Sequence, residues 1–453
     1  MSDRRAEISR REVLARVAVG SAAILGGSLA TSCRRKVSSP SPPSPPRATP
    51  SSRIALGFIG LGTEGLHKNL KVFLGQHDTQ VVALCDVDRA RLLEAQDLVE
   101  EQYGGRSGED TTSRCAITSD WREVVARDDI DAVVVSTPDH WHVLCAVEAA
   151  KAGKDVFCEK PVSLTIHEGR VLSDVMQAYG RIFQTASEIR CLDHFHRACA
   201  LVRNGRIGKL HTIHAHTYRG HTGDENVRIV EPVEEPVPEG FDYDMWLGQA
   251  PEAPYNAGRC HTFFRYNFDY AGGNLADWGA HIHDIVQWGN GTELTGPVSV
   301  EGQGVFPVEG LYNVAVDWDI AFEYANGVKL VCSSGGFSVR FEGSDGWVYA
   351  DWDVLDASSD EIMHSRILPE DIHLRTCPEG EHRDFLDCVK NRAQTCANAE
   401  IGHRTATIAH LGNIALRLGR KLNWDPDIER FVGDDEADRM LSRSMRSPWR
   451  LDA

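Results

Sequence analysis

Short apolar runs alternate with longer segments of mixed polarity in the first part of the chain. The runs at residues 54–56, 81–85, 132–135 and 155–158 have the length of buried strands, and amphipathic stretches separate them. This alternation is typical of a doubly wound sheet in which parallel strands are joined by helices. The pattern therefore predicts an N-terminal α/β domain over residues 53–188.

A different pattern begins near residue 189. Residues 209–218 alternate between apolar and polar positions, as a half-buried strand does. Further strand-like runs follow one another with few helices between them, at 298–306, 314–324, 328–333 and 346–351. This succession predicts a C-terminal α+β domain over residues 189–425 with an open, mostly antiparallel sheet. A polar tail, residues 426–453, has no functional interpretation.

The N-terminal residues 1–33 read as a targeting segment. Arg10 and Arg11 precede a moderately apolar run at 17–30, which is too short and too rich in small residues for a membrane span. The arrangement resembles a twin-arginine export signal, so we expect a periplasmic or cell-surface protein. Cys33 is a candidate lipid anchor to the membrane, with simple cleavage nearby as the alternative.

Residues 34–52 are rich in Ser and Pro, a composition that predicts an extended linker. The formal net charge of −18 argues against nucleic acid and anionic membrane surfaces as partners. The 12 cysteines contain no C-x-x-C pair, so we expect no metal site made of cysteines.

A glycine-rich turn follows the first apolar run. Gly60, Gly62 and Gly65 have the G-x-G-x-x-G spacing of a dinucleotide-binding turn, with Leu61 between the first two. The second apolar run ends at Asp86, where an acid binds the adenosine ribose of NAD. The carboxylate would repel a 2′-phosphate, which favours NAD over NADP. The first domain is therefore predicted to be an NAD-binding Rossmann domain.

The carboxyl ends of the next two predicted strands carry further candidate residues. Ligands of open α/β sheets bind at this edge, so the loop after residue 135 is expected to face the cofactor, with His140 in it. The following strand ends at Glu159 and Lys160. A lysine there can bind a substrate hydroxyl and stabilise a developing oxyanion, whereas the alternative is a structural ion pair with Glu159.

A third polar cluster lies in the second domain, after Gly272 and Gly273. In a helix, Asp277 and His281 fall four residues apart on one face, so Asp277 is predicted to hold the imidazole of His281. The alternative is a helix whose acids are merely solvated. Polar and aromatic residues near this cluster suit a sugar, and the weakest substrate candidates are Arg190, Arg265 and Tyr270.

Together these motifs resemble the Gfo/Idh/MocA oxidoreductases, whose members include glucose–fructose oxidoreductase and inositol dehydrogenase. The resemblance extends from about residue 54 to about residue 430 and is carried by the glycine turn, Asp86, the Glu159–Lys160–Pro161 element and the 272–281 segment. It implies that Lys160 and His281 are catalytic, with Asp277 as partner or substrate ligand. It also implies a homo-oligomer and these cofactor-lining residues: Ser136, Thr137, Pro138, Glu159 and Lys160.

The function expected from the sequence is that of an exported NAD-dependent oxidoreductase acting on a sugar, polyol or glycoside. Free NAD is scarce outside the cytoplasm, so the cofactor is expected to stay bound and to be restored in every turnover. An alternative is an NAD-dependent glycoside hydrolase that works through transient oxidation and elimination. A second alternative is a non-catalytic sugar-binding surface protein.

Overall fold

The computed structural model describes residues 52–104, 115–220 and 230–452. The predicted export signal, Cys33 and almost all of the linker lie outside these residues, and so do the domain boundaries drawn there. Within the described ranges, no helix combines the length and apolar character that crossing a membrane requires.

A parallel sheet of six strands forms the first domain, and its strand order is β3-β2-β1-β4-β5-β6. The central strands β4 and β5 are buried along their whole lengths, as apolar runs covered by helices on both faces should be. The predicted Rossmann domain is confirmed. The strands are β1 (Ile54–Ile59), β2 (Thr79–Cys85), β3 (Ala116–Thr118), β4 (Ala132–Val135), β5 (Asp155–Cys158) and β6 (Phe183–Thr185).

Helices follow the strands in the order that right-handed crossovers require. After β1 the chain makes a π-helical turn, Gly65–Leu70, that continues directly into a short α-helix. The α-helices of this domain are α1 (Lys71–Gly75), α2 (Arg89–Gly104), α3 (Trp121–Val125), α4 (Asp139–Lys151) and α5 (Ile166–Ala178).

The second domain contains a sheet of nine strands in the order β13-β12-β11-β7-β10-β9-β8-β14-β15. Every neighbouring pair is antiparallel except β7 with β10, so the predicted mostly antiparallel sheet is confirmed. The strands are β7 (Leu210–Thr217), β8 (Pro297–Val305), β9 (Asp317–Tyr324), β10 (Lys329–Ser334), β11 (Ser338–Gly343), β12 (Trp347–Asp351), β13 (Leu355–Ala357), β14 (Leu422–Asp425) and β15 (Arg430–Phe431).

Helices cover one face of this sheet and leave the other face open. Along β7, Ile213 and Ala215 are fully buried in the core, whereas His214 and His216 on the opposite face are half-buried. The remaining α-helices are α6 (Asp193–Arg203), α7 (Tyr243–Leu247), α8 (Asn274–Asp277), α9 (Gly279–Asn290), α10 (Asp360–Met363), α11 (Glu381–Asn391), α12 (Ala399–Leu418) and α13 (Asp435–Asp438).

Two late helices return to the first domain. On α11, Phe385 is fully buried, and its ring centroid lies 5.7 Å from that of Phe157 and 6.4 Å from that of Phe73. The N-terminal part of α12 packs on α5, and Ala406 joins the core beneath β4 and β5. The apolar core of the first domain therefore includes residues of α11 and α12. This shared packing holds the first-domain sheet against the second domain.

A disulfide between Cys191 and Cys377 joins two segments far apart in sequence, a pairing that the sequence spacing does not predict. The thiol of Cys396 lies within 4.8 Å of both sulfur atoms, but the disulfide leaves Cys191 and Cys377 without the thiolates that would bind a metal ion. None of them lines the cleft described next.

Candidate active site

A cleft lies at the carboxyl ends of β1, β4 and β5, where a doubly wound sheet binds its ligands. Most of the predicted cofactor residues form its wall. These are Gly60, Gly62, Asp86, Ser136, Thr137, Pro138, Glu159 and Lys160.

The glycine-rich turn brings its backbone close to the next strand. Gly60 has φ +89°, and a Cβ at this position would lie 2.6 Å from the carbonyl carbon and oxygen of Ser136. A Cβ on Gly65 would lie 2.3 Å from the carbonyl oxygen of Gly60. Only glycine fits at these two positions, which is the role that the G-x-G-x-x-G spacing predicts.

Asp86 directly follows β2 and lies beside this turn. Its carboxylate accepts hydrogen bonds from the backbone N–H of Leu61 at 2.6 Å and of Asp88 at 2.8 Å. Leu61 itself is fully buried and takes part only through this N–H. Burial raises the pKa of Asp86, and the two N–H groups oppose that shift. Both carboxylate oxygens keep lone pairs with which they could accept bonds from a ribose.

The residues present fit a dinucleotide. The turn exposes backbone beside the start of a helix, where the free N–H groups attract a pyrophosphate. Asp86 lies where a ribose hydroxyl would bind. The buried hydroxyl of Thr137 lines the cleft and has no hydrogen-bond partner among the described residues. Such a buried polar group is costly unless a ligand satisfies it.

Lys160 lies at the inner end of the cleft and is paired with Asp277. Its Nζ is 2.7 Å from Oδ1 of Asp277, and the side chains of the two residues are 12% and 10% exposed. Arg265 donates from Nε to the other carboxylate oxygen at 3.2 Å. Burial opposes ionisation of Asp277, but the charges of Lys160 and Arg265 outweigh it and hold the pKa of this carboxyl well below its usual range.

The partner of Asp277 differs from the one predicted. The carboxylate binds Lys160 and Arg265 across the cleft, and no hydrogen bond joins it to His281 within the described ranges. The two residues do share one side of the α8–α9 segment, but the full positive charges of the lysine and the arginine are the stronger partners for a buried carboxylate.

His281 is 3% exposed, and its Nδ1 has no hydrogen-bond partner in the part of the chain that the structure covers. Burial, together with the charge of Lys160, lowers the pKa of His281 to about 3. The imidazole is therefore neutral at physiological pH. A neutral imidazole beside a lysine ammonium is able to accept a proton from a bound hydroxyl group.

Glu159, the neighbour of Lys160, lies beneath the cleft in a hydrogen-bonded network. Nδ2 of Asn69 donates to Glu159 at 2.8 Å and to Oγ of Ser136 at 3.0 Å. Oδ1 of the same amide lies 2.8 Å from Nε2 of His382 on α11. This network connects the ends of β4 and β5, and it fixes the backbone from which Lys160 projects.

Asp139 is a cleft residue that the sequence analysis missed. It lines the cleft directly after Pro138 and is 5% exposed. Burial, followed by the negative charge of Asp277, raises the pKa of Asp139 to about 8. A carboxylic acid that keeps its proton at neutral pH can donate a hydrogen bond to a ligand. Its position at the end of a buried strand is the signal that could have identified it.

Several predicted residues are not part of the cleft wall: Leu61, Gly65, His140, Arg190, Tyr270, Asp277 and His281. His140, expected to face the cofactor, is buried, and its Nε2 is 3.0 Å from the backbone oxygen of Trp246. Tyr270, expected to contact substrate, is fully buried against the rings of His140 and Trp246. The residue that does line the cleft is His142, whose ring nitrogens lie 2.8 Å and 2.9 Å from backbone oxygens.

Arg190 is also not a substrate ligand in this structure. Its guanidinium forms a bidentate pair with Asp284 at 2.6 and 2.7 Å and lies 2.9 Å from Glu293. The side chains of Arg190 and Asp284 are each 3% exposed. This is a buried ion pair within the C-terminal domain. Arg265 is the one substrate candidate that the structure places in the cleft wall.

Residues 240–265, which we call the covering segment, close the cleft from the second domain. The N–H of Asp242 donates to the carbonyl of Val87 at 2.9 Å, and the N–H of Arg89 donates to that of Gly240 at 2.9 Å. These bonds attach the segment directly beyond Asp86. Its residues in the cleft wall are Phe241, Met245, Trp246, His261, Thr262, Phe264 and Arg265.

The buried histidines give the protein a defined pH dependence. His283 faces away from the cleft, with Nε2 3.5 Å from the thiol of Cys332, and burial lowers its pKa to about 3. As pH falls below about 6.5, the unfolded chain binds a proton that the folded chain excludes, so stability falls until about pH 3. We expect His283→Gln to reduce the loss of unfolding free energy between pH 7 and pH 4 by about 2–3 kcal/mol. Urea unfolding at both pH values measures this difference.

The matched control is His364→Gln, because His364 is exposed on the second domain. Its substitution should leave the pH slope of the unfolding free energy as in the wild type. Equal slopes in all three proteins would show that His283 takes up its proton in the folded state.

Comparison with protein families agrees with this architecture. Residues 54–187 match the model of the Gfo/Idh/MocA oxidoreductase family described as its NAD-binding Rossmann fold, and residues 202–451 match the C-terminal alpha/beta domain of the same family. The fold and the cleft thus match an oxidoreductase family whose N-terminal domain is described as an NAD-binding Rossmann fold. The chain belongs to the Gfo/Idh/MocA oxidoreductase family.

Individual relatives are more distant. The uncharacterized oxidoreductase ORF334 of Rhizobium meliloti is 31% identical over 162 residues, which cover 35% of this chain and 44% of that protein. A glycosyl hydrolase family 109 protein of Shewanella pealeana is 31% identical over 171 residues, 36% of this chain and 35% of its own length. The chain therefore matches less than half the length of either curated relative.

Among solved structures, the fold is similar to that of the aldose-aldose oxidoreductase of Caulobacter crescentus complexed with glycerol. The TM-score is 0.60 with 18% sequence identity, and the match covers 82% of this chain and 99% of the other. Similarity at this level of identity establishes the shared fold.

Proposed function

We propose that the protein is an exported NAD-dependent oxidoreductase that acts on a sugar, polyol or glycoside and keeps its cofactor throughout turnover. The observation that carries this proposal is the pairing of Lys160 with Asp277 at the cofactor cleft, close to His281, whose Nδ1 has no hydrogen-bond partner among the described residues. A lysine ammonium and a neutral imidazole are the groups that a carbinol needs to lose its proton.

Each side chain then has a defined task. The bound cofactor supplies the hydride acceptor for the carbinol carbon. Lys160 donates a hydrogen bond to the reacting oxygen and stabilises the negative charge that develops there. His281 accepts the hydroxyl proton and returns it when the direction reverses. Asp277, whose other carboxylate oxygen accepts from Arg265, holds the ammonium group in place, and protonated Asp139 offers a further hydrogen-bond donor.

Retention of the cofactor is supported by the covering segment and by the C-terminal tail. The guanidinium of Arg446 lies 2.6 Å from Asp244 and donates to the backbone oxygen of Gly248 at 2.9 Å. The ring centroid of Trp449 lies 4.8 Å from that of Trp141, which lines the cleft. The tail therefore braces the covering segment over the cleft, and a dinucleotide beneath it would leave only after both had opened.

The proposed export is a reason for the protein to keep its cofactor enclosed. Arg10 and Arg11 form the twin-arginine pair of the expected signal, and that route moves folded proteins, so the cofactor would be enclosed before translocation. A protein that reaches the periplasm or cell surface with one enclosed cofactor must restore it chemically in every catalytic cycle.

We expect removal of the tail's contacts to release the cofactor. Arg446→Ala combined with Trp449→Ala should raise the dissociation rate of NAD at least about tenfold, since an ion pair and a buried ring contact are lost together. Residual NAD after extended dialysis measures the effect. Arg450→Ala is the control, because Arg450 is 80% exposed and pairs only with Asp452 among described residues. Equal retention in all variants would contradict the bracing role.

A second candidate is an NAD-dependent glycoside hydrolase. The relative from Shewanella pealeana carries a glycosyl hydrolase name, and the same site residues serve a reaction in which oxidation acidifies a neighbouring C–H before elimination and hydration. The cofactor requirement is identical, so the two candidates differ in the net product. A non-catalytic sugar-binding protein is disfavoured, because Lys160, Asp277 and Arg265 are all present and joined.

The experiment is a product survey on enzyme purified from its export route without added cofactor. Released NAD(H) is quantified after denaturation, and the intact enzyme is incubated with free sugars, sugar pairs and aryl glycosides. Stoichiometric NAD with one sugar oxidised and another reduced supports the paired oxidoreductase. Release of the aglycone without net reduction of the cofactor supports the hydrolase. Absence of bound NAD, with turnover only on addition of NAD, contradicts retention.

A further inference from the structure

Four aromatic side chains of the second domain form a connected group next to His281. The ring centroids of Phe337 and Trp352 are stacked 4.4 Å apart, and they lie 6.4 Å and 6.5 Å from that of His281. Tyr218 stacks on Phe337 at 5.6 Å, and its ring meets Trp278 edge-on at 4.8 Å. We call these four residues the aromatic platform.

Sheet register brings the platform together. Ser338 at the start of β11 lies opposite both His216 near the end of β7 and Asp351 at the end of β12. Tyr218, Phe337 and Trp352 therefore emerge at one end of the sheet. This end faces the candidate site, because α9 carries His281 across it.

The platform is continuous with the site on one side and open on the other. The ring of Trp278 lies 5.5 Å from Nζ of Lys160. Phe337 is buried, whereas Tyr218, Trp278 and Trp352 are each half-buried and keep part of their rings accessible. Phe337 belongs to the core of the second domain and the other three rings pack against it, so the accessible parts of these rings lie at the edge of that core, next to the catalytic groups.

The rim of the platform is polar and acidic. The carboxylate of Asp351 accepts a hydrogen bond from the hydroxyl of Tyr349 at 2.7 Å. Burial raises the pKa of Tyr218, and the negative charges of Asp351, at the end of β12, and of Asp353 beyond it act in the same direction. Aromatic faces flanked by carboxylates suit a neutral ring that has apolar faces and hydroxyl groups at its edge. An anionic ligand would be repelled by these acids.

We propose that the aromatic platform is a binding subsite for a second sugar unit, so that the natural substrate is a disaccharide or a longer glycoside. The inference rests on the proposed sugar-oxidising function and adds the substrate class. The first sugar unit is held by Lys160 and His281, and the next unit stacks on the exposed faces of Trp352 and Tyr218.

Calorimetry and turnover with three matched pairs of sugars test this proposal: glucose with cellobiose, galactose with lactose, and N-acetylglucosamine with chitobiose. We expect the disaccharide of at least one pair to bind about tenfold more tightly than its monosaccharide. Trp352→Ala should abolish that difference while changing monosaccharide binding less than about threefold, and Trp352→Phe should restore most of it. The control is Trp347→Ala at the start of β12, the strand that Trp352 directly follows, where the ring lies under Arg340 on the open face of the sheet.

Two outcomes overturn the proposal. One is that no disaccharide binds more tightly than its monosaccharide. The other is that Trp352→Ala weakens both members of a pair equally, which would assign the ring to supporting His281. Turnover separates this inference from the proposed function. Monosaccharide oxidation without a disaccharide preference removes only the subsite, whereas Trp352-dependent binding without any redox turnover removes the proposed chemistry and keeps the subsite.

Discussion

Replacing Lys160 by Met is expected to lower kcat/KM by at least about 10³-fold while the purified protein still contains NAD. The methionine keeps the length of the side chain but removes the ammonium group that pairs with Asp277 at 2.7 Å. The reacting oxygen then loses both its hydrogen-bond donor and the positive charge beside it. The variant also leaves Asp277 with Arg265 as its charged partner, so a modest loss of stability should accompany the loss of activity.

The measurement combines steady-state kinetics with NAD content and thermal unfolding. Lys71→Met is the control, since Lys71 is exposed on α1 and its loss should leave all three quantities unchanged. Lys160→Arg keeps the charge with a different geometry and should recover stability more than activity. A Lys160→Met enzyme that retains more than about a tenth of wild-type kcat/KM would remove the lysine from the chemistry.

Replacing Gly60 by Ala is expected to weaken NAD binding at least about hundredfold. Gly60 has φ +89°, which costs a residue with a Cβ about 1–3 kcal/mol. The added methyl group would also lie 2.6 Å from the carbonyl group of Ser136, a backbone contact that cannot relax without moving the strand β4. Both effects displace the turn on which the pyrophosphate would rest, and the distorted turn no longer presents its N–H groups.

Equilibrium titration of stripped enzyme with NAD, followed by calorimetry, measures this effect. Gly75→Ala at the end of α1 is the control, because a Cβ there meets no atom within 4 Å. That variant should bind NAD like the wild type and unfold at an equal or slightly higher temperature. Similar NAD affinities for the Gly60 and Gly75 variants would show that the turn does not bind the cofactor.

Local spacing explains why the cofactor half of the site could be predicted from the sequence. The glycine turn, Asp86 and Lys160 each occupy the carboxyl end of a buried strand, and parallel strands bring those ends to one edge. Such positions follow from strand assignment alone. Asp139 obeys the same rule and could have been identified, since it follows β4 by only a few residues.

The site predictions that differ from the structure concern residues whose contacts are distant in the sequence. Asp277 was assigned to His281 because they are four residues apart, yet its carboxylate is taken by Lys160, which is 117 residues away. Arg190 was a substrate candidate, because the sequence does not show that its guanidinium is paired with Asp284 and Glu293. His140 was predicted to face the cofactor and Tyr270 to contact substrate, because each lies next to candidate residues in the sequence. In the structure both side chains are buried against Trp246 of the covering segment.

The same limit applies to the fold. The alternating strands were recognisable, but β11 was missed, because its half-exposed Arg340 and Glu342 weaken the apolar signal of a central strand. The C-terminal tail had no interpretation, since its contacts with the covering segment and with Trp141 join residues about 200 and about 300 positions apart in the sequence. Closure of the cleft is thus a property of tertiary structure that no local pattern encodes.

Rapid mixing of the purified enzyme, carrying only its own NAD, with its sugar substrate tests the central claim most directly. Reduced-nicotinamide absorbance should rise to at most one equivalent per chain, then return to its starting value when an acceptor sugar is added or when the glycoside is hydrolysed. Lys160→Met should show no rise at all. Continuous accumulation of reduced cofactor beyond one equivalent after NAD is supplied, with no return, would contradict the claim that the cofactor is retained and restored within the enzyme.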